Sequence, residues 1–349
     1  MTADAWVAAR LPAQVAHLDA AAAGRLSQAA LTAEVRHLQA EAERGGYVAE
    51  ADAAPAVDSG RAALGALLDL DGVAFSDGAG TAFATLLQSW PLPPGARIGT
   101  LPSEYGGNAK VLQLLAAQHG WTLVDLPVDA LGRVLEVPAC DLVTFPHVAS
   151  QRGVVQPVQE VLASGVPLLL DVAQSQGQTA VPAGCAAYVG TSRKWLCGPR
   201  GVAFLAVDPG WLPQLRTPPT LTPYDDLRRF DTQEAHVAGR VGLAVAAQEW
   251  TPEVLPVVHA RAAYARQVLA DTSWTVVEPV DEPTGITTLS GGDPVAARAA
   301  LLERGLLVSA VPVTRSADLP GPVLRVSTAP WTQEHELDAL AAALRALSS

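Results

Sequence analysis

From about residue 60 to residue 207, short apolar runs alternate with longer stretches whose apolar residues recur at helical spacing. The short runs are Val73–Ser76, Arg97–Leu101, Thr122–Leu126, Leu142–Phe145, Val166–Asp171, Ala187–Gly190 and Val202–Val207. Their length and near-continuous hydrophobicity predict strands covered on both faces. Alanine- and leucine-rich segments between them, such as Thr81–Trp90 and Asn108–His119, predict helices. Strand and helix in alternation predict βαβ units, and so an α/β fold with a mostly parallel sheet covered by helices.

The pattern breaks at the proline-rich stretch Pro209–Pro223, which reads as a connection. Helices are expected near Gly239–Trp250 and Pro252–Ala270. A smaller α+β unit follows, with strands near Trp274–Val277, Gly285–Leu289, Leu306–Val311 and Val323–Val326 and a helix at Pro294–Arg304. The chain ends in an amphipathic helix with Thr332 as expected N-cap and Glu334 and Glu336 in its first turn. Leu337, Leu340, Ala341, Leu344 and Leu347 share one face of it. The expected organisation is an N-terminal segment (1–20) packing on the small domain, a large ligand-binding domain (21–245) and a small C-terminal domain (246–349).

Composition narrows the function. At 349 residues the chain can bury a large core. Its 49% hydrophobic content comes without any stretch near 18 uninterrupted apolar residues, and Met1–Arg10 lacks a signal-peptide layout. A cytoplasmic protein with no membrane partner is expected. A net charge of −12 argues against nucleic acid. Cys140, Cys185 and Cys197 are odd in number and lack metal-ligand spacing, so no metal is expected and the thiols read as small buried hydrophobes in a reducing compartment.

The chain has two lysines, Lys110 and Lys194. Lys110 falls inside a predicted helix and reads as ordinary surface. Lys194 lies in Tyr188-Val-Gly-Thr-Ser-Arg-Lys194-Trp-Leu-Cys-Gly-Pro-Arg-Gly201, just past a predicted strand, and the strand before it ends in Asp171. Pyridoxal phosphate chemistry needs such a pair: a lysine for the cofactor's aldehyde and an acid that keeps the ring nitrogen protonated. Ligands of such sheets bind beyond the carboxyl ends of strands, where His147, Asp171 and Lys194 would fall. Asp77-Gly-Ala-Gly80-Thr81-Ala-Phe83 follows a strand and opens a helix, so its backbone amides could hold a phosphate. Taken alone, such a glycine turn is equally a bare connection. Tyr105, in Glu104-Tyr105-Gly-Gly-Asn108, could stack on a ring or simply sit in a turn. His147, as a lone histidine, reads first as structural.

Together, the glycine turn, the aromatic, Ser150, Asp171-x-x-Gln174 and Thr191-Ser-Arg-Lys194 occur in the order found in fold-type I pyridoxal-phosphate enzymes. The chain resembles their class V aminotransferase and cysteine desulfurase family from about His17-Leu-Asp-Ala-Ala21 to the C-terminal helix. The resemblance implies a homodimer with sites near the subunit interface, acting on a small amino-acid substrate. It also implies roles: Lys194 as the cofactor-linked lysine, Asp171 at the pyridine nitrogen, and Gln174 with Ser150 near the phenolic oxygen. Tyr105 replaces the usual stacking histidine. Gly80 and Thr81 would hold the phosphate, with Thr191 and Arg193 where the family has serine and histidine. Arg325, in Leu324-Arg-Val-Ser327, would clamp the substrate carboxylate as a bidentate fork.

Departures from the family point to another substrate. No cysteine occurs between Leu306 and Leu324, where the desulfurases carry their nucleophile; Ser309 is there instead. Arg152 stands where many relatives have threonine, and Glu234 where some have a phosphate-binding threonine from the second subunit. Four segments resemble a C–S lyase subfamily that cleaves hercynylcysteine sulfoxide in ergothioneine biosynthesis: Gly45–Glu50, Ser150–Pro157, Ser192–Gly201 and Arg229–His236. That resemblance implies β-elimination to pyruvate and ammonia. A trimethylammonium-bearing substrate would favour an aromatic or acidic pocket wall, which eight tryptophans permit. The alternatives are an aminotransferase or epimerase, less favourably a cysteine desulfurase, and, from another class, a non-catalytic or nucleotide-binding α/β protein, against which the missing dinucleotide fingerprint counts.

Overall fold

The computed structural model describes residues 1–218 and 224–347. The part of the predicted connection at 219–223 lies outside the described residues. In chain order, a short helix α1 (Ala3–Ala8) and a two-residue strand β1 (Ala16–His17) lead to two long helices, α2 (Gln28–Arg44) and α3 (Gly46–Ala66). Ser27 caps α2 by accepting the Ala30 N–H. Neither long helix is marked by the sequence pattern, because α2 carries exposed leucines among its charges and α3 contains Pro55.

The main layer is built next: β2 (Ala74–Ser76), α4 (Ala79–Ser89), β3 (Arg97–Thr100), α5 (Gly106–His119), β4 (Thr122–Asp125), β5 (Leu142–Pro146), α6 (Val158–Leu162), β6 (Leu168–Asp171), β7 (Ala187–Thr191) and β8 (Ala203–Val207). The seven strands form one sheet in the order β2-β8-β7-β6-β5-β3-β4, in which β8 alone runs against the rest. Five of them (β2 and β5 to β8) are buried along nearly their whole length, which is why they appear in the sequence as unbroken apolar runs. One face of the sheet packs Leu64, Leu68 and Leu243 over Phe75, Phe145 and Phe204. The other packs Phe83, Leu86 and Leu112 over Ile98, Leu169 and Leu205.

Two further helices follow, α7 (Val237–Glu249) and α8 (Val254–Ala270). The division expected at 245/246 falls within α7, which packs against α2 and α3. Gly60 of α3 has no Cβ, and one placed there would lie 2.3 Å from the Ala244 Cβ, so glycine is what lets α3 and α7 touch. Then come β9 (Thr275–Val276), β10 (Ile286–Ser290), α9 (Pro294–Glu303), β11 (Leu306–Leu307), β12 (Ser309–Val311), β13 (Val323–Ser327) and α10 (Glu334–Leu347). β12-β13-β10-β9 form a four-stranded sheet. The run expected as one strand from Leu306 to Val311 is split at Val308: β11 pairs with β1, whereas β12 pairs with β13. The N-terminal segment is thereby tied to the C-terminal unit.

The expected cap of α10 needs correction. Thr332 instead accepts the Ala329 N–H (3.0 Å) with its hydroxyl. The helix begins one residue later, where Glu336 reaches back to accept the Gln333 N–H (2.8 Å), half of a capping box. Leu337, Leu340, Ala341 and Leu344 are buried as expected, while Leu347 remains exposed.

Arg266 of α8 is 1% exposed and ties α8 to the segment that leads into β10. Its guanidinium donates to the carbonyls of Glu282 (2.7 Å), Thr284 (2.8 Å) and Ile286 (2.8 Å). The same segment holds the loop after β5, since Glu278 accepts the Gly153 N–H (2.8 Å) and Glu282 the Val155 N–H (2.8 Å). Replacing Arg266 by methionine keeps the stem and orphans the carbonyls. Arg266→Met should lower the unfolding free energy by about 3 kcal/mol or more, read from urea denaturation. An unchanged midpoint would mean that water replaces the guanidinium at no cost.

Candidate active site

The carboxyl ends of β2, β3, β5, β6 and β7 face one cleft of about 290 Å³. Gly78 and Gly80 after β2, Tyr105 after β3, Ser150 after β5, Asp171 at the end of β6 and Lys194 after β7 all line it. Arg325 on β13 and Ser309 on β12 close it from the small unit. The structure thus brings together Gly80, Tyr105, Ser150, Asp171, Gln174, Thr191, Arg193, Lys194 and Arg325. Thr81 is the exception among the predicted residues. Its side chain is exposed on α4 and does not line the cleft, leaving only its backbone amide at the helix start.

Lys194 is reachable from the cleft, yet protein surrounds its ammonium. Burial, with Arg193, Arg325 and Arg315 nearby and only Asp171 opposing, lowers its pKa to about 7. The lysine therefore holds a substantial neutral fraction near neutral pH. Its turn is fixed from behind by the N-terminal segment: Gly24 donates to the Arg193 carbonyl (2.7 Å). A Cβ on Gly24 would stand 2.2 Å from the Lys194 carbonyl oxygen, so glycine alone permits that approach.

Asp171 is buried, and burial raises its pKa against the lowering influence of Lys194, the Ala173 N–H and Asn108. Asn108 donates to Asp171 Oδ2 (2.8 Å), and the Ala173 N–H donates to Oδ1 (2.8 Å). Asp171 and Lys194 influence each other's charge without forming an ion pair. Behind Asn108 stands Glu104, whose Oε1 accepts from Tyr105 N–H (2.8 Å) and Asn108 (3.2 Å). Burial first, and then the Asp171 charge, push the Glu104 pKa well above the carboxylate range. Burial thus favours the protonated form of both carboxyls, and the Asp171 charge adds to that at Glu104.

At the other end of the cleft, α4 opens at Gly78, which gives no side-chain cap. The first amides of the helix are free for an anion, aided by the helix dipole. Arg325, 4% exposed, donates to the Ser150 carbonyl (2.8 Å) and approaches Asp19 and Ser309 (both 3.4 Å). Gln174 accepts from Trp195 Nε1 (2.9 Å) and donates to the Ala21 carbonyl (3.1 Å), which fixes its rotamer.

Other candidates lie elsewhere. His147 is buried and does not line the cleft; burial lowers its pKa to about 4, so it stays neutral. Lys110 is exposed on α5. Arg152 is paired with Asp318 (3.2 Å), and Glu234 is exposed outside the cleft. The tryptophans do not build the aromatic wall: Trp6 and Trp331 stack on each other at 5.9 Å in a separate cluster with Trp195. Among the described residues, Tyr105 is the aromatic side chain lining the cleft. Sequence reasoning missed Asp19, Asn108 and Arg315. Asn108 lies four residues after Glu104, the spacing of one helical turn, but nothing local announces Asp19 or Arg315. No group of three or more His, Cys, Asp or Glu able to hold a metal occurs among the described residues.

An anion site at a helix start, an aromatic on the cleft wall, a buried acid and a lysine with a lowered pKa fit pyridoxal phosphate, from its phosphate to its ring, ring nitrogen and aldehyde. Comparisons agree. The aminotransferase class-V family matches residues 16–239. A probable hercynylcysteine sulfoxide lyase of Mycobacterium tuberculosis is 41% identical, over 99% of this chain and 94% of that protein. An isopenicillin N epimerase of Streptomyces clavuligerus is 29% identical over 70% of this chain and 72% of its own length. Among solved structures, the cystine C–S lyase C-DES bound to cysteine persulfide superposes with a TM-score of 0.85 at 22% identity, covering 95% of this chain and 98% of its own. The cysteine desulfurase CsdA of Escherichia coli gives 0.84 at 20%, over 100% and 99%. The shared architecture is the fold-type I α/β fold, and the chain belongs to the class-V aminotransferase family.

Proposed function

We propose that the chain is a pyridoxal-phosphate-dependent C–S lyase that cleaves hercynylcysteine sulfoxide by β-elimination, a step of ergothioneine biosynthesis. The observation that carries the reading is the cleft's reactive inventory: a lysine partly neutral near pH 7 together with a buried acid, with no thiol among the residues that line it. The near-full-length similarity to the mycobacterial protein supports the substrate. Pyridoxal phosphate, when bound, supplies an electron sink for the pair released at the substrate's α-carbon. The amides from Gly78 to Thr81 would hold its phosphate, with Thr191 and Arg193 contributing. Tyr105 would stack on the ring, Asp171 would keep the ring nitrogen protonated, and Gln174 with Ser150 would serve the phenolic oxygen.

Arg325 orients the substrate α-carboxylate. Lys194 then removes the α-proton, which its lowered pKa lets it accept and return near neutral pH. The electron pair leaves through the β-carbon as the C–S bond breaks. The sulfur departs as a sulfenic acid, and the three-carbon enamine takes up water to give pyruvate and ammonia. A large unit, 21–245, would carry the cofactor residues and a small one from 246 would carry Arg325.

The reading includes a cytoplasmic homodimer. Leu31, Val35 and Leu38 lie exposed along one side of α2, and Tyr47 is 84% exposed at the start of α3, a face suited to a second copy. The three free thiols are consistent with a reducing compartment. No helix among the described residues is long and apolar enough to cross a membrane. Racemisation or transamination would use the same cofactor residues. Release of pyruvate from a cysteine sulfoxide without a keto acid separates elimination from both.

Three outcomes are expected. Lys194→Ala should lose the visible absorption that borohydride abolishes in the wild type, while Lys110→Ala keeps it; a reducible band in Lys194→Ala would assign the linkage elsewhere. Asp171→Asn preserves shape but not charge, so cofactor should be retained while turnover falls at least ~10²-fold, equivalent to roughly 2.7 kcal/mol of barrier. Near-wild-type turnover would remove the ring-nitrogen role. Finally, burial raises all three thiols, Cys185 to about 12, which makes them poor nucleophiles. The protein with all three replaced by serine should therefore still release pyruvate. If removing any one thiol stops turnover with the visible spectrum intact, a persulfide route replaces elimination.

A further inference from the structure

We propose that Arg315 binds a second carboxylate, one carried on the sulfur substituent of the substrate, and so sets the enzyme's preference for acidic leaving groups. The proposal rests on the lyase reading and refines it. Three arginines line the cleft, and two are committed. Arg193 donates to the Ala22 carbonyl. Arg325 is held by Ser150, Asp19 and Ser309. Arg315 differs. Among the described residues its guanidinium makes no hydrogen bond or ion pair, and its one close partner is the face of Tyr105 at 5.5 Å.

Nearby acids are engaged elsewhere. Asp318 takes Arg152 (3.2 Å), the Gln151 amide (3.1 Å) and the Ser316 hydroxyl. Asp19 takes Ser309 (2.7 Å) and Arg325. Glu104 takes the Tyr105 N–H and Asn108.

The backbone that carries the cation is held in place. Arg315 ends a tight turn, Val313–Arg315, that lies on the start of α5. A Cβ on Gly106 would come within 2.6 Å of the Thr314 carbonyl oxygen, so glycine lets the turn seat there. Ser316, whose hydroxyl proton goes to Asp318, also lies against the Pro102 carbonyl oxygen at 3.2 Å. A half-buried arginine on an anchored turn, lining a ligand cleft without a resident anion, is suited to an anion of the ligand. The cofactor phosphate has the amides of α4, and the α-carboxylate has Arg325. What remains is charge on the leaving group. A hercynyl group, being a trimethylated histidine, carries such a carboxylate.

The test compares holoenzyme turnover of S-methyl-L-cysteine sulfoxide, with one carboxylate, and S-(2-carboxyethyl)-L-cysteine sulfoxide, with two. The wild type should prefer the dicarboxylate. Arg315→Gln should collapse the ratio of the two kcat/KM values by roughly 10- to 100-fold, through the KM of the dicarboxylate, because a lost charge-assisted contact falls on uniform binding. Arg315→Lys should restore part of the ratio. An unchanged ratio overturns the proposal, whether both substrates slow together or neither does. A second arm needs no turnover: calorimetric Kd values of the amine-free analogues, 3-(methylsulfinyl)propanoate and its 2-carboxyethyl counterpart. Arg315→Gln should level them, and an undiminished preference overturns the assignment. If neither sulfoxide yields pyruvate with wild-type enzyme, the lyase reading fails and the Kd ratio alone decides Arg315.

Discussion

A lysine deep in a cleft among arginines cannot keep its proton at the usual pH, and the site depends on that constraint. Lys194 has Arg193, Arg315 and Arg325 within electrostatic reach and a single opposing carboxylate, Asp171. Desolvation and like charge act in the same direction, bringing the amine to about pH 7. The fold meets that constraint by delivering the lysine and the acid from adjacent parallel strands, β6 and β7. Gly24 must also pass close enough to fix the lysine's turn from behind.

The acid side obeys the same logic with opposite sign. Burial raises the Asp171 pKa. Two N–H donors, from Asn108 and Ala173, oppose this, as does the charge of Lys194. Glu104 shares Asn108 and so cannot be ionised at little cost beside Asp171. Burial raises both carboxyls; the donors and Lys194 restrain the rise at Asp171, while the Asp171 charge adds to it at Glu104.

The sheet and both central residues were legible because their signals are local. Strands buried on two faces show as apolar runs, and Asp171 and Lys194 stand at the ends of two of them. The runs at 73–76, 97–101 and 142–145 fall within a residue or so of the observed strands. Helices α2 and α3 were not legible, since their contacts are with α7, almost 200 residues away. Asp19, Asn108 and Arg315 escaped for the same reason: each matters through a partner supplied by another element. Tryptophan abundance misled about the cleft wall, because indoles also serve packing, as Trp6 and Trp331 do.

That long-range dependence explains the role of the chain's beginning. Residues 16–25 join β11 through β1, engage Arg325 through Asp19, receive the Gln174 amide at Ala21 and cover the Lys194 turn at Gly24. Trp6 and Arg10 extend the attachment, with the Arg10 guanidinium 3.2 Å over the Trp6 ring and Trp331 stacked beyond. One segment therefore touches the Lys194 turn, Arg325 and the small unit. Anything that loosens it must disturb the surroundings of both side chains together, because the contacts that position Lys194 and Arg325 run through the same ten residues.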